Sequence, residues 1–169
     1  MKIGIDIFGP VVSDLDTEFT SLYGDMAALS LRYEHTVYVS SDSAAETRAK
    51  RQNSRHLNLV LLCLTSHHDH GAILIDRRTS TLNRRRAMKA AAVLAGLLGY
   101  PFTVKEVTPK NPHYQRLRGY RAFVWAIEAV PNESPFKVGL AISDAVEYAY
   151  GRKTLTLINE RNDRENAAI

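Results

Sequence analysis

The chain has 169 residues, 45% hydrophobic and 24% charged, with a net charge of +4 and one cysteine. That is enough for one domain with a real core and too little for two comfortable ones. A single thiol excludes an internal disulfide and suits a reducing, cytoplasmic home, no apolar run reaches the ~20 residues that span a bilayer, and the mild positive charge permits an anionic partner without requiring one.

Residues 2–8 alternate, with Ile3, Ile5 and Ile7 on one face, as a half-buried strand should. A strand here, in place of a charged segment and an apolar run, gives no sign of a signal peptide. Gly9-Pro10 stops the strand. Ser13 or Asp14 then caps a helix whose apolar residues step through Leu15, Phe19, Leu22, Met26, Leu29 and Tyr33. Residues 35–40 form the next strand, with Val37 and Val39 on one face. Residues 42–56 are polar, carry Arg48, Lys50, Arg51 and Arg55, and lack an apolar face, so they read as a solvated loop or short surface helix.

Residues 57–64 and 72–75 read as strands joined as a hairpin through 65–71, with Cys63 a small buried hydrophobe. A helix over 82–98 turns Ala87, Ala91, Leu94 and Leu98 inward and ends at Gly99, where a C-terminal cap residue belongs. Residues 102–108 form a strand bounded by Pro101 and Pro109, and 110–119 a polar loop. Residues 120–130 are the strongest strand, with Phe123, Trp125 and Ile127 on one side. Ser134-Pro135 opens a helix with the stripe Val138, Ala141, Ile142, Ala145 and Ala149, closed by Gly151. A last strand is expected over 153–158, and 160–169 as a frayed tail.

This order predicts an α/β (α+β) chain forming a single domain. Its core is a two-layer, ferredoxin-like β-α-β-β-α-β sandwich over 57–159, with an N-terminal β-α-β extension over 1–41.

Three groups could carry chemistry. His67, His68, Asp69 and His70 are ligand types that suit zinc, nickel or iron. Packed so closely they cannot all converge on one ion, and no second cluster completes the set, so the loop is read as solvated and without metal. Arg77, Arg78, Arg84, Arg85 and Arg86 bracket a helix start, where unpaired N–H groups already attract anions; a carboxylate or phosphate site competes there with a plain solvated basic face. Glu106 shares a strand face with Phe102 and Val104, and Glu128 shares one with Val124 and Val130, placements that cost free energy unless the carboxylate is paired or used. Glu106 lies near a strand end where a site would open; Glu128 reads as a solvent-facing edge or an arginine partner. No glycine-rich phosphate loop and no GxSxG are present.

The run Ile73-Leu74-Ile75-Asp76-Arg77-Arg78, then Asn83-Arg84-Arg85-Arg86, Gly99-Tyr100, Val104-Lys105-Glu106 and the closing 138–159 segment resembles the phage-encoded S-adenosylmethionine lyases, also described as SAM hydrolases. The resemblance implies intramolecular cleavage of S-adenosylmethionine to methylthioadenosine and homoserine lactone, without metal or organic cofactor, as an anti-restriction activity. It assigns Glu106 to the cationic half of the substrate and Asn83, Arg86 and Arg78 to the carboxylate end. Tyr100, Phe102 and Tyr114 are its candidates for the adenine, and a homotrimer is implied. The alternatives are a nucleic-acid-binding ferredoxin-like module and a non-enzymatic inhibitor of a host protein.

Overall fold

The computed structural model describes residues 1–7, 14–40 and 44–168. Strands are β1 (Lys2–Asp6), β2 (Thr36–Ser40), β3 (Leu59–Thr65), β4 (Gly71–Asp76), β5 (Phe102–Val107) and β6 (Phe123–Ala129); helices are α1 (Asp14–Leu31), α2 (Ala45–Asn53), α3 (Thr81–Leu98), α4 (Tyr114–Gly119), α5 (Pro135–Ala149) and α6 (Leu155–Ala167). All six strands form one sheet in the order β2-β1-β3-β6-β4-β5. β2, β1, β3 and β6 run parallel, while β4 meets β6 antiparallel and β5 follows β4. Among the described residues no helix is long and apolar enough to cross a membrane.

The α/β class stands, in a mostly parallel sheet with helices on both faces. The two-layer ferredoxin-like arrangement expected for 57–159 is not the one observed, for two physical reasons. Residues 65–71 do not make a hairpin, because β6 lies between β3 and β4 and pairs with both. The expected strand over 153–158 is instead the entry to α6, whose Thr154 side chain accepts from the Leu157 N–H. Leu155 and Leu157, which gave the strand-like alternation, both face solvent, and Ile158 is the buried residue of that helix.

Parity divides the sheet cleanly. Ile3, Ile5, Leu59, Leu61, Cys63, Trp125, Ile127, Ile73 and Ile75 point to the face covered by α1, α3 and α5, and make the larger core. Val60, Leu62, Leu64, Val124, Ala126, Ala72 and Leu74 point the other way, with Tyr114 and Leu117 of α4 packed on them. Buried on both faces, β3 reads as an unbroken apolar run, as central parallel strands do.

Local chemistry sets the helix ends. Ser80 accepts from the Asn83 N–H at the start of α3, and Gly99, at φ 75°, closes it by donating to Ala95 O. The Gly9-Pro10 stop and the Ser13 cap lie outside the described residues. The buried face of α1 is Phe19, Tyr23, Ala27, Ala28 and Leu31, rotated from the expected one; Leu22, Leu29 and Tyr33 face solvent. Tyr23 decides the rotation, its hydroxyl shared between Leu64 O at 2.9 Å and Ile127 O at 3.1 Å, where the alternative is a buried phenol left unpaired. Within the segment 42–56, Ala45–Asn53 form α2, which buries polar side chains, Arg48 Nε standing 2.8 Å from Asp6 Oδ1 and Gln52 Nε2 donating to Tyr38 O. Residues 160–167 continue α6, which Asp144 holds through Lys153 at 3.1 Å and through Arg161.

Candidate functional site

In open sheets, ligands gather beyond the carboxyl ends of parallel strands. Here β3 and β6 end together, with Thr65 opposite Ala129, and the chain leaves β3 into the loop 66–70. Ser66 is buried and ties that loop shut. Its N–H donates to Ala129 O at 2.8 Å, its hydroxyl donates to His70 O at 2.7 Å, and its oxygen accepts the His68 N–H at 3.2 Å. Three imidazoles are thereby held over the strand ends, with the rings of His68 and His70 stacked at 5.2 Å.

Glu128 is the penultimate residue of β6, opposite Leu64 on β3 and Ala72 on β4. It is half-buried, and desolvation pushes its carboxyl above the usual carboxylate range, against the opposing pull of Lys105, His68, His70 and His67. Lys105 reaches from β5, whose register with β4 puts it on the same face as Glu128. Its ammonium lies 3.3 Å from His70 Nε2, and Asp69 Oδ1 lies 3.0 Å from His70 Nδ1. That order defines a tautomer: the Nδ1–H donates to Asp69 and the Nε2 lone pair accepts from Lys105. An ammonium on Nε2 leaves no lone pair there for a metal, and no group of three or more His, Cys, Asp or Glu among the described residues is placed to hold one.

The patch therefore joins a carboxyl poised to exchange a proton, a fixed positive charge and several imidazoles. The sequence flagged Glu128 and the histidine run separately, since their meeting depends on β6 inserting beside β3. It passed over Lys105. Period-two alternation alone puts Lys105 on the face opposite Val104 and Glu106, and that signal was available.

The residues singled out by sequence are dispersed. Glu106 is on the other sheet face, on the edge strand, exposed and paired with Arg84 at 2.9 Å. Arg78 forks onto Asp76 at 2.7 and 3.0 Å, and with Asn83 it lines an open cavity at the far end of β4. Arg86 donates to Asn83 Oδ1 and stacks 4.4 Å from the Tyr150 ring centroid. Tyr100 and Phe102 are buried core residues, Tyr100 accepting the Val130 N–H, and Phe102 pairs with Gly71 at the opposite end of β4 from Asp76. Tyr114 is buried in α4. Five residue steps at ~3.3 Å per residue separate those ends, roughly 17 Å, so the two groups do not enclose one pocket.

No protein-family model and no curated protein sequence matches the chain. Solved structures do. An N-acetylmuramoyl-L-alanine amidase from Clostridium difficile 630 superposes with a TM-score of 0.74 at 12% identity, over 90% of this chain and 98% of that one. The N-acetylmuramyl-L-alanine amidase Ami1 of Mycobacterium smegmatis gives 0.70 at 12% identity, with the same coverage. Cwp6 from Clostridium difficile gives 0.73 at 15% identity, over 88% of this chain and 29% of that one. The chain has the fold of these amidases.

At such identities the likeness is one of fold. It nonetheless overturns the S-adenosylmethionine lyase resemblance, and with it the lyase activity, S-adenosylmethionine as substrate and the anti-restriction role. The motifs behind that resemblance are short, and local strand–turn–helix order recurs in unrelated sheets. The likeness to the amidase covers 90% of this chain, whereas the lyase motifs span about half of it.

Proposed function

We propose that the protein hydrolyses an amide bond in a cell-wall muramyl peptide, at the Glu128 patch. The observation that carries this reading is the half-buried Glu128 carboxyl, facing Lys105 and three imidazoles at the carboxyl ends of β3 and β6. The amidase fold supplies the substrate class.

The chemistry needs three groups. Glu128, ionised, takes a proton from water as the water oxygen bonds to the amide carbon. Lys105, positioned by His70 and with His67 and His68 nearby, stabilises the negative charge that develops on the carbonyl oxygen. Glu128 then returns the proton to the departing nitrogen as the C–N bond breaks, leaving a carboxyl on one fragment and an amine on the other. A raised carboxyl pKa favours both transfers, because the group is a stronger base when ionised and still an effective acid near neutral pH.

The test is to incubate the purified protein with peptidoglycan and with a soluble muramyl peptide, and to follow new amines and fragment masses. Wild type should release amine and Glu128→Gln should release little. Retention on peptidoglycan with no release by wild type would replace hydrolysis with recognition alone.

A further inference from the structure

At the opposite end of β4 and β6 from Glu128 lies an open cavity of about 580 Å³. Three arginines, Arg78, Arg118 and Arg121, and one aspartate, Asp76, are among its lining residues, Arg121 standing between this cavity and its neighbour. Three positive charges against one negative leave a local balance of +2.

Asp76 does not quench the cluster; it arranges it. The carboxylate accepts from the Arg78 N–H at 2.9 Å and from Arg78 Nε and Nη2, and Arg118 Nε lies 4.0 Å away. Burial would raise the Asp76 carboxyl, but the Arg78 hydrogen bonds and the Arg78 and Arg118 charges win, holding it below its usual value and hence ionised. Tyr114 fixes Arg118 from the other side, accepting from Nη1 at 3.0 Å with its ring centroid 5.3 Å from the guanidinium. These contacts leave Arg78 Nη1 and Arg118 Nη2 without acceptors among the described residues. The Arg121 backbone N–H is held by Asn53 Oδ1 at 2.7 Å, which anchors the residue at the rim. The half-buried Ala122 and Phe123 give the cavity its apolar lining, with Leu117 and Val124 buried behind them, and Thr79 and Asn83 add polar groups.

We infer that this cavity binds a phosphate group borne by a small molecule with an apolar or aromatic body. A local balance of +2 matches a dianion better than a single carboxylate. The partly fixed guanidinium forks suit a tetrahedral oxyanion, and the apolar lining accepts the remainder of the ligand. The site is about a strand length from Glu128 and does not depend on the amidase reading.

Titration calorimetry with phenyl phosphate, inorganic phosphate and benzoate tests it. Phenyl phosphate should saturate the site, inorganic phosphate should bind more weakly for want of the apolar body, and benzoate should be weakest. Affinity for phenyl phosphate should fall as salt rises, since the arginines are solvent-accessible. Arg118→Ala and Arg121→Ala should each lower it by about tenfold, the expected loss of one charge-assisted hydrogen bond; circular dichroism checks that both variants are folded. Glu128→Gln should bind as wild type does. Equal binding of inorganic and phenyl phosphate would assign free phosphate and reject the apolar subsite. No saturable phosphate binding, equal binding of benzoate, or unchanged affinity in both arginine variants would overturn the inference.

Discussion

The Lys105 ammonium and His70 Nε2 face each other at 3.3 Å, with Asp69 on the far nitrogen of the same ring. The lysine shares a sheet face with Glu128, across Ala72 and Leu74, and is held there by a neighbour that is itself oriented. Lys105→Met should lower turnover on a muramyl peptide by roughly 10²-fold or more, the usual loss when a group stabilising the oxyanion is removed. KM should change little, and Lys105→Arg should restore part of the rate. Steady-state amine release reads both numbers; equal rates in wild type and Lys105→Met would exclude the lysine from the chemistry.

Glu128 sets a dependence of stability on pH with a definite sign. Its carboxyl is raised by desolvation, so the folded chain holds that proton more tightly than the unfolded chain. Stability from this group is therefore lost as pH climbs from the unfolded carboxyl value, about 4.3, through the higher native one. Glu128→Gln removes the loss. The variant should melt above wild type at neutral pH and coincide with it below the window, in thermal scans across pH. A destabilised variant at neutral pH would mean that Glu128 is held by its cations more than it is penalised by burial.

Gly139 sits where α5 crosses α1. A Cβ there would stand 2.6 Å from Tyr23 O, 2.6 Å from Met26 Cβ and 2.9 Å from Ala27 N. Helix propensity favours Gly139→Ala by about 1 kcal/mol. Forcing two backbones apart costs about 1–3 kcal/mol or more, so packing should decide the sign. Urea denaturation should show a lower midpoint; a raised midpoint would mean that the crossing is looser than it stands here.

His35 and Glu147 form a buried pair joining the entrance of β2 to α5, and the amino terminus lies 3.3 Å from His35 Nδ1. Glu147→Leu alone should cost roughly 1–3 kcal/mol, the penalty of leaving a buried polar partner stranded. The double change His35→Leu with Glu147→Leu should recover much of it. Additive losses in the double-mutant cycle would show that the two side chains act independently.

Much of the framework was legible because apolar spacing reports burial directly. Ile3 and Ile5 mark one face of β1, Val138, Ala141 and Ile142 mark the inner stripe of α5, and Gly99 closes α3. The failures have physical causes too. Residues 42–56 read only as a solvated loop or short surface helix because what α2 buries is polar: Arg48 pairs with Asp6 beneath it, so no apolar stripe exists to be read. The Tyr23 hydroxyl turns α1 away from the face that leucine spacing alone suggests. At the site, His67, His68, His70 and Glu128 were each visible, but they are brought together by strand order, which no local window contains. Glu106 drew attention as a carboxylate among apolar neighbours, yet on an edge strand that face opens to water and Arg84 is enough to hold it.

The reversal of β4 has a further effect. A six-residue strand leads from the histidine loop at one tip to the arginine turn at the other, so chemistry that adjoins along the chain is delivered to opposite poles of the molecule. A compact molecule docked at one pole therefore leaves the other vacant for a second guest, and the two can be occupied independently.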